Sequence, residues 1–334
     1  MRAGLVLPSW IWRLFAMKWI LFVPTVVSFL LSLVLCRLLI PVLRRLKFGQ
    51  QVREEGNPEH LKKQGTPTMG GIAVLTAVLA TCVFFVFKRP EFLPAHLLTL
   101  AFGIIGFMDD YLKIRRRRSE GLKAWQKFLC QLLVTAGFAF WCLKSPAVGS
   151  SVILPFTNGK EWDMGWLYVP FVIIAVMGTD NGVNFSDGLD GLCGSITTVV
   201  AVFLMTVSMK TGNEGLAVLS GAVAGGLMGF LFFNAYPAKV FMGDTGSLAL
   251  GGFVASTAIM LRMGWFILVF GLIYLIEVLS VILQVGYFKL THGKRIFKMA
   301  PIHHHFELSG YSETQIVTMF TIVTLLLCLI SLAA

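Results

Sequence analysis

Charge is what this chain has least of. Only 13% of its 334 residues are Asp, Glu, Lys or Arg, where a soluble domain carries about 25%. That shortage excludes a protein that keeps itself in water with a charged surface. Cysteine is sparse and scattered: Cys36, Cys82, Cys130, Cys142, Cys193 and Cys328 form no CxxC pair and lie mostly in apolar runs. This excludes a disulfide framework and a cysteine zinc site, and leaves them as small buried hydrophobes. There is no polar stretch long enough for a soluble domain, no low-complexity tract and no convincing internal repeat.

Hydrophobic residues make up the balance, at 56% of the chain with a mean hydropathy of +0.78. A membrane-crossing helix takes roughly 20 apolar residues. The pattern predicts an all-α integral membrane protein, one polytopic domain over residues 1–334. About ten spans are expected, near 19–43, 70–87, 94–109, 125–143, 165–180, 189–209, 215–233, 246–261, 263–286 and 315–333. Arg2, Arg13 and Lys18 precede the first apolar run in the manner of a signal peptide. That run is too long for such a segment and lacks a small-residue cleavage pattern, so it reads as an uncleaved span, with residues 4–17 as a short interfacial helix.

The net charge of +11 reports topology first. Arg44, Arg45, Lys47, Arg53, Lys62 and Lys63 follow span one, and Lys113, Arg115, Arg116, Arg117, Arg118, Lys123 and Lys127 follow span three. Lys239, Lys289, Lys294, Arg295 and Lys298 lie in later loops on the same side. The opposite loops hold Lys88, Arg89, Lys144, Lys160, Lys210 and Arg262, so the first side leads eighteen to six. The positive-inside rule places that side in the cytoplasm and both termini outside. The four-arginine run at 115–118 is a topology anchor beside anionic lipid, and with no aromatic stacking platform near it no nucleic-acid partner is expected.

The uncommon polar residues gather at the same cytoplasmic junctions. Asp109 and Asp110 end the third expected span. Adjacent carboxylates repel, so the pair is either a solvated helix end or a seat for a cation, and hard oxygen ligands in small number suit Mg²⁺ that also holds phosphates. Asn181, Asn184, Asp187 and Asp190 recur every three residues, which keeps them near one face of a helical turn, although Asp187 could serve only as an N-cap. Asp244 sits between Gly243 and Gly246 at the head of a helix, a place suited to anions and metals. Asn234 lies upstream, and Phe241 either packs or stacks on a base. His303, His304 and His305 diverge too much for a zinc site and suit phosphate hydrogen bonding or acid–base work, or are simply solvated. Lys63 and Thr66 precede span two in a glycine-containing basic stretch that is not a Walker loop and is a weak phosphate motif alone. Glu277 and Gln284 share one face of span nine, as functional groups or as structural partners.

Taken together, GTPTMGG (65–71), GFMDDYLK (106–113), NFSDGLDGL (184–192), NAYPAKVFMGDTGSL (234–248) and PIHHHFE (301–307) resemble the polyprenyl-phosphate N-acetylhexosamine-1-phosphate transferases. GTPTMGG and the three histidines favour the phospho-N-acetylmuramoyl-pentapeptide transferase branch. The likeness covers nearly the whole chain, with no departure at a motif position; residues 1–18 and 144–165 carry none of it. It implies ten spans, a homodimer, Mg²⁺, and a site on the cytoplasmic side of a bacterial cell membrane. The implied substrates are UDP-N-acetylmuramoyl-pentapeptide and undecaprenyl phosphate. It also implies roles: Asp244 binds Mg²⁺ with Asp110 and Asp187 close by, and Asp109 is the base or positioning group for the lipid phosphate. Lys63, Asp190, Asn234 and Phe241 hold the uridine, and Lys113 and Lys127 contact phosphates. Asn184, Gln284, His303 and His304 line the same cavity, with His303 among the catalytic candidates and Thr66, Asn181 and His305 among the substrate-binding ones. A lipid phosphate is largely dianionic at neutral pH and needs little help from a base, which favours direct attack over a covalent aspartyl-phosphate. A sister enzyme that transfers N-acetylglucosamine phosphate and a secondary transporter are the competing readings; transporter sites lie near the bilayer midplane, while these residues lie at one edge.

Overall fold

The computed structural model describes residues 9–46, 63, 65–116 and 120–334, and for residues 9–18 the backbone alone. The arginines at 117 and 118, Lys47, Arg53, Lys62 and the first part of the expected interfacial helix lie outside the described residues. The rest of that segment is continuous with the first span: α1 runs unbroken as Ser9–Arg45.

The remaining helices of six residues or more among the described residues are α2 (Gly71–Val83), α3 (Leu93–Arg116), α4 (Ala124–Lys144), α5 (Tyr168–Phe185), α6 (Leu192–Lys210), α7 (Glu214–Asn234), α8 (Gly243–Met260), α9 (Leu272–Leu290), α10 (Ile302–Glu307) and α11 (Glu313–Ala333). A two-stranded hairpin, β1 (Ser151–Ile153) against β2 (Glu161–Asp163), is antiparallel and the only sheet among the described residues. The chain is an all-α, multi-pass membrane protein: eight helices are long and apolar enough to cross a bilayer.

Two of the expected spans fall outside those eight, for different reasons. The stretch read as 70–87 is helical only to Val83, which makes 13 residues and about 20 Å of helix, short of a hydrocarbon core of about 30 Å. Helix α8 is long but rich in Gly, Ser and Thr, and every residue from Thr245 to Met260 is buried. A helix surrounded by protein has no lipid to face, so small residues that admit close neighbours replace large apolar ones. By contrast, α1, α4, α9 and α11 each bury little of their surface and form the outer wall.

Two helices run on past the ends that hydropathy suggested, while the one in the ninth expected span begins only at Leu272. The third element reaches Arg116 and the fifth reaches Phe185. Asp109, Asp110 and Asn181 therefore lie inside helices, not at their ends, because their polar groups find partners within the bundle. Helix α3 packs along α8 so tightly that a Cβ on Gly106 would lie 2.1 Å from the Asp244 carbonyl oxygen. That approach delivers Asp110, one turn further on, to the head of α8.

Candidate active site

Asp109 and Asp110 are each 3% exposed. Asp110 faces the N-terminus of α8, where the first backbone N–H groups have no helical acceptor. The Asp244 N–H donates to its Oδ1 at 3.2 Å, and the Thr245 N–H and hydroxyl donate to its Oδ2 at 2.9 and 2.7 Å. Asp110 is thus a helix cap supplied from a neighbouring helix, placed where the helix dipole favours negative charge. Asp109 turns to the loop before α4: the Leu122 N–H donates to its Oδ1 at 2.7 Å, and Lys113 Nζ is 2.6 Å from its Oδ2.

Asp244, in the first turn of α8, is the more open of the three, with its side chain 19% exposed. Lys113 and Lys127 donate to its Oδ2 at 3.0 and 2.9 Å, and Asn184 Nδ2 donates to its Oδ1 at 3.1 Å. Asn184 also reaches Ser247 Oγ at 2.8 Å. Oxygens of Asp109, Asp110 and Asp244 lie within 4.8 Å of one another. Two lysines against three carboxylates leave an excess negative charge, and the donors are all hard oxygens. This set fits a divalent cation such as Mg²⁺.

Asp187 lies on the turn between α5 and α6 and does not join that group. Burial pushes its carboxyl well above the usual range, the charges of Asp244 and Asp110 push further, and the Gly243 amide works the other way. Asn181 turns back on its own helix and donates to the Met177 carbonyl at 2.8 Å.

A second cluster surrounds Lys63. Its ammonium donates to Asp190 Oδ1 at 2.7 Å and to Glu313 Oε1 at the head of α11. Burial lowers the lysine's pKa, but the two carboxylates outweigh it and hold the value above the ordinary one. Asp190 Oδ2 accepts the Ala238 N–H at 2.8 Å, and Asn234 Nδ2 donates to the Val240 carbonyl at 3.0 Å, bracing the loop that carries Phe241. Backbone pairing ties that loop to the segment beginning at Thr66: Phe241 N–H donates to the Pro67 carbonyl and Gly70 N–H to the Phe241 carbonyl, both at 2.8 Å.

The histidine run divides. His303 is fully buried, its Nδ1 3.1 Å from both Glu277 oxygens, and its ring lies on the 186–191 turn: a Cβ on Gly188 would be 2.2 Å from Nε2. His304 pairs with Glu307 at 2.6 Å, and His305 accepts the Lys298 N–H at 3.1 Å. Gln284 is occupied with the loop after α9, accepting from Ile296 and Phe297 and donating to the Phe297 carbonyl, each at 3.0 Å.

Glu313, Thr245 and Ser247 were not singled out from sequence. Thr245 and Ser247 are inside the GDTGS motif and discoverable there. Glu313 stands alone at the start of an apolar helix, where an acid ordinarily reads as dipole compensation.

The geometry can be set beside known proteins. The Glycosyl transferase family 4 profile matches residues 92–262, and the Phospho-N-acetylmuramoyl-pentapeptide-transferase signature 1 matches residues 63–75, which contain Lys63 and Thr66. The phospho-N-acetylmuramoyl-pentapeptide-transferase of Clostridium novyi is 53% identical over 306 residues, covering 91% of this chain and 93% of that protein. Those of Clostridium kluyveri and Acetivibrio thermocellus are each 49% identical, over 91% and 92% of this chain and 96% and 93% of theirs. With that identity held across nearly the full length, the chain belongs to the phospho-N-acetylmuramoyl-pentapeptide-transferase family.

Proposed function

We propose that this protein transfers phospho-N-acetylmuramoyl-pentapeptide from its UDP carrier to undecaprenyl phosphate, giving lipid I and UMP in the first membrane step of peptidoglycan synthesis. The observation that carries this is the setting of Asp244 between two lysines, with Asp109 and Asp110 within 4.8 Å. Both reactants are anions, so positioning and charge compensation are the main tasks.

Lys113 and Lys127 meet the phosphates, and Asp109 orients the lipid phosphate. An oxygen of that phosphate attacks the sugar-linked phosphorus, the bond to the uridylate oxygen breaks, and UMP leaves with the electron pair. No side chain need be phosphorylated. Asp244, Asp109 and Asp110 would hold Mg²⁺, which neutralises diphosphate charge when bound. In a ten-span arrangement the charge count puts the basic loops and the polar junctions on one side, which supports both termini outside and a cytoplasm-facing cleft in a bacterial cell membrane. The family likeness supports a homodimer.

The test is a detergent-solubilised assay with labelled UDP-N-acetylmuramoyl-pentapeptide and undecaprenyl phosphate. UMP and a lipid-linked product should appear together and require Mg²⁺, and Asp244→Asn should abolish both. Preference for UDP-N-acetylglucosamine, or full activity in the variant, would overturn the assignment. A phospho-aspartyl enzyme formed with the nucleotide substrate alone would overturn the one-step mechanism.

A further inference from the structure

Asp180 places a carboxyl group inside the packed bundle and has no part in the chemistry described so far. It lies on α5 with no exposed surface, and Gln131 of α4, also buried, donates from Nε2 to its Oδ2 at 2.6 Å. Its Oδ1 has no hydrogen-bond partner among the described residues. An acid and an amide are costlier inside a membrane protein than apolar side chains of the same size. The pair calls for a reason beyond packing.

Its place supplies one. Lys127 stands one turn from Gln131 on α4, and Asn184 stands one turn from Asp180 on α5. These two also meet: Lys127 Nζ is 3.5 Å from Asn184 Oδ1 and 2.9 Å from Asp244 Oδ2. Four residues back along α4 match four residues forward along α5, so the two contacts are successive rungs of one antiparallel ladder. One rung belongs to the site. The other, Gln131 to Asp180, lies one turn behind it.

The rear rung rests on the helix that carries Asp244. A Cβ on Gly251 of α8 would lie 2.4 Å from the Asp180 Cα, so α5 and α8 meet there at the closeness only glycine permits. Gly251 is two turns beyond Asp244 on the same helix. Helix α4, by contrast, belongs to the outer wall and buries little of its surface. In the half of α4 that borders the site, Gln131 makes the one side-chain hydrogen bond to another helix besides those of Lys127, among the described residues. Lys127 therefore comes from an outer helix and Asp244 from a buried one, and Asp180 is where the first is located against the second.

We propose that Asp180 and Gln131 are positioning residues for Lys127; this rests on the function proposed above. Their hydrogen bond sets the height of α4 against α5 and α8, and so the point at which the ammonium enters the site. Neither residue touches a reacting atom. A misplacement of about 1 Å costs on the order of 10²-fold in rate, so a slip of α4 by a fraction of a turn is enough to disable the lysine.

The test replaces both partners by apolar groups of similar shape, Gln131→Met with Asp180→Leu, in the full-length protein in detergent. This leaves no polar group stranded, so the melting temperature should stay near that of wild type. The kcat for transfer should nevertheless fall about 10- to 100-fold. Asp180→Asn keeps an oxygen for the Gln131 N–H and should retain most of the activity. Added to Lys127→Met, the apolar pair should cost nothing more, because the group it positions is gone. Gln131→Met alone should give the same kinetic pattern and serves if the pair does not accumulate. Full activity in the apolar pair or in Gln131→Met overturns the inference and leaves the transferase function standing. So does an Asp180→Asn loss as large as that of the pair, or a loss that multiplies with Lys127→Met. A wild type that yields neither UMP nor a lipid-linked product overturns the function itself, and the inference with it.

Discussion

Asp110 caps the helix whose first turn carries Asp244: its two oxygens receive the Asp244 amide, the Thr245 amide and the Thr245 hydroxyl, all within 3.2 Å. One carboxylate therefore sets where another stands. Asp110→Ala strands three buried donors, so stability should fall by about 2–4 kcal/mol and transfer should be lost. Asp110→Asn keeps one acceptor oxygen and should lose less of both. Thermal melts in detergent beside the transfer assay check this; equal melting temperatures in all three proteins would refute the capping role.

Lys127 competes with any cation for Asp244, since its ammonium is 2.9 Å from Oδ2. Lys127→Met should lower kcat by about 10²-fold by removing a positive charge from the phosphates. It should also lower the Mg²⁺ concentration that gives half-maximal activity, because the acceptor is released. A Mg²⁺ titration of both proteins separates the effects, and a raised requirement in the variant would contradict the competition.

Glu277 holds His303 by a pair of 3.1 Å contacts. Glu277→Gln should cost about 10- to 100-fold in kcat with little change in KM, since it disturbs orientation and not binding. The double variant with His303→Ala should be no worse than His303→Ala alone. Independent, multiplying losses would show that the two act separately.

Asp187 offers a pH-dependent readout. Burial, aided by the charges of Asp244 and Asp110, favours its protonated form in the folded state. A carboxyl held above its unfolded pKa of about 3.9 weakens the fold once ionised, and the penalty disappears as pH falls below that value. Asp187→Asn should therefore melt higher than wild type near pH 8, by about 1 kcal/mol in stability, with the gain shrinking toward pH 4. Its transfer activity should drop, since the turn borders the site. A gain that does not vary with pH would show that the charge is not the cause.

The chemistry-bearing segments were legible in sequence because each is short and unusual inside an apolar chain: the paired aspartates, the triplet-spaced Asn and Asp, GDTG and the histidine run. Their convergence was partly legible through charge counting. The pairings were not. Nothing near Asp110 announces that its partners begin 134 residues later, and nothing near Lys63 points 250 residues on to Glu313. Hydropathy also misjudged helix ends, because it scores Asp109, Asp110 and Asn181 as if they faced lipid when each is hydrogen-bonded within the protein. Helix α8 shows the converse: its small residues weaken the membrane-span pattern because its surroundings are protein. The two-stranded hairpin was also missed; its tie to the bundle, Ile153 N–H to the Arg262 carbonyl at 2.8 Å, joins residues far apart in the chain.

The long reach from Asp110 to the head of α8 has a consequence for biogenesis. During synthesis α3 is made well before α8 exists, carrying two adjacent acids of which Asp109 has local partners, Lys113 and the Leu122 amide, and Asp110 has its amides still to come. A nascent chain interrupted before residue 245 keeps those acids without the amides that later receive Asp110. Such a fragment carries its own mark of incompleteness, a buried-type carboxylate at Asp110 without its helix N-terminus, for insertion machinery to retain or for membrane proteases to remove.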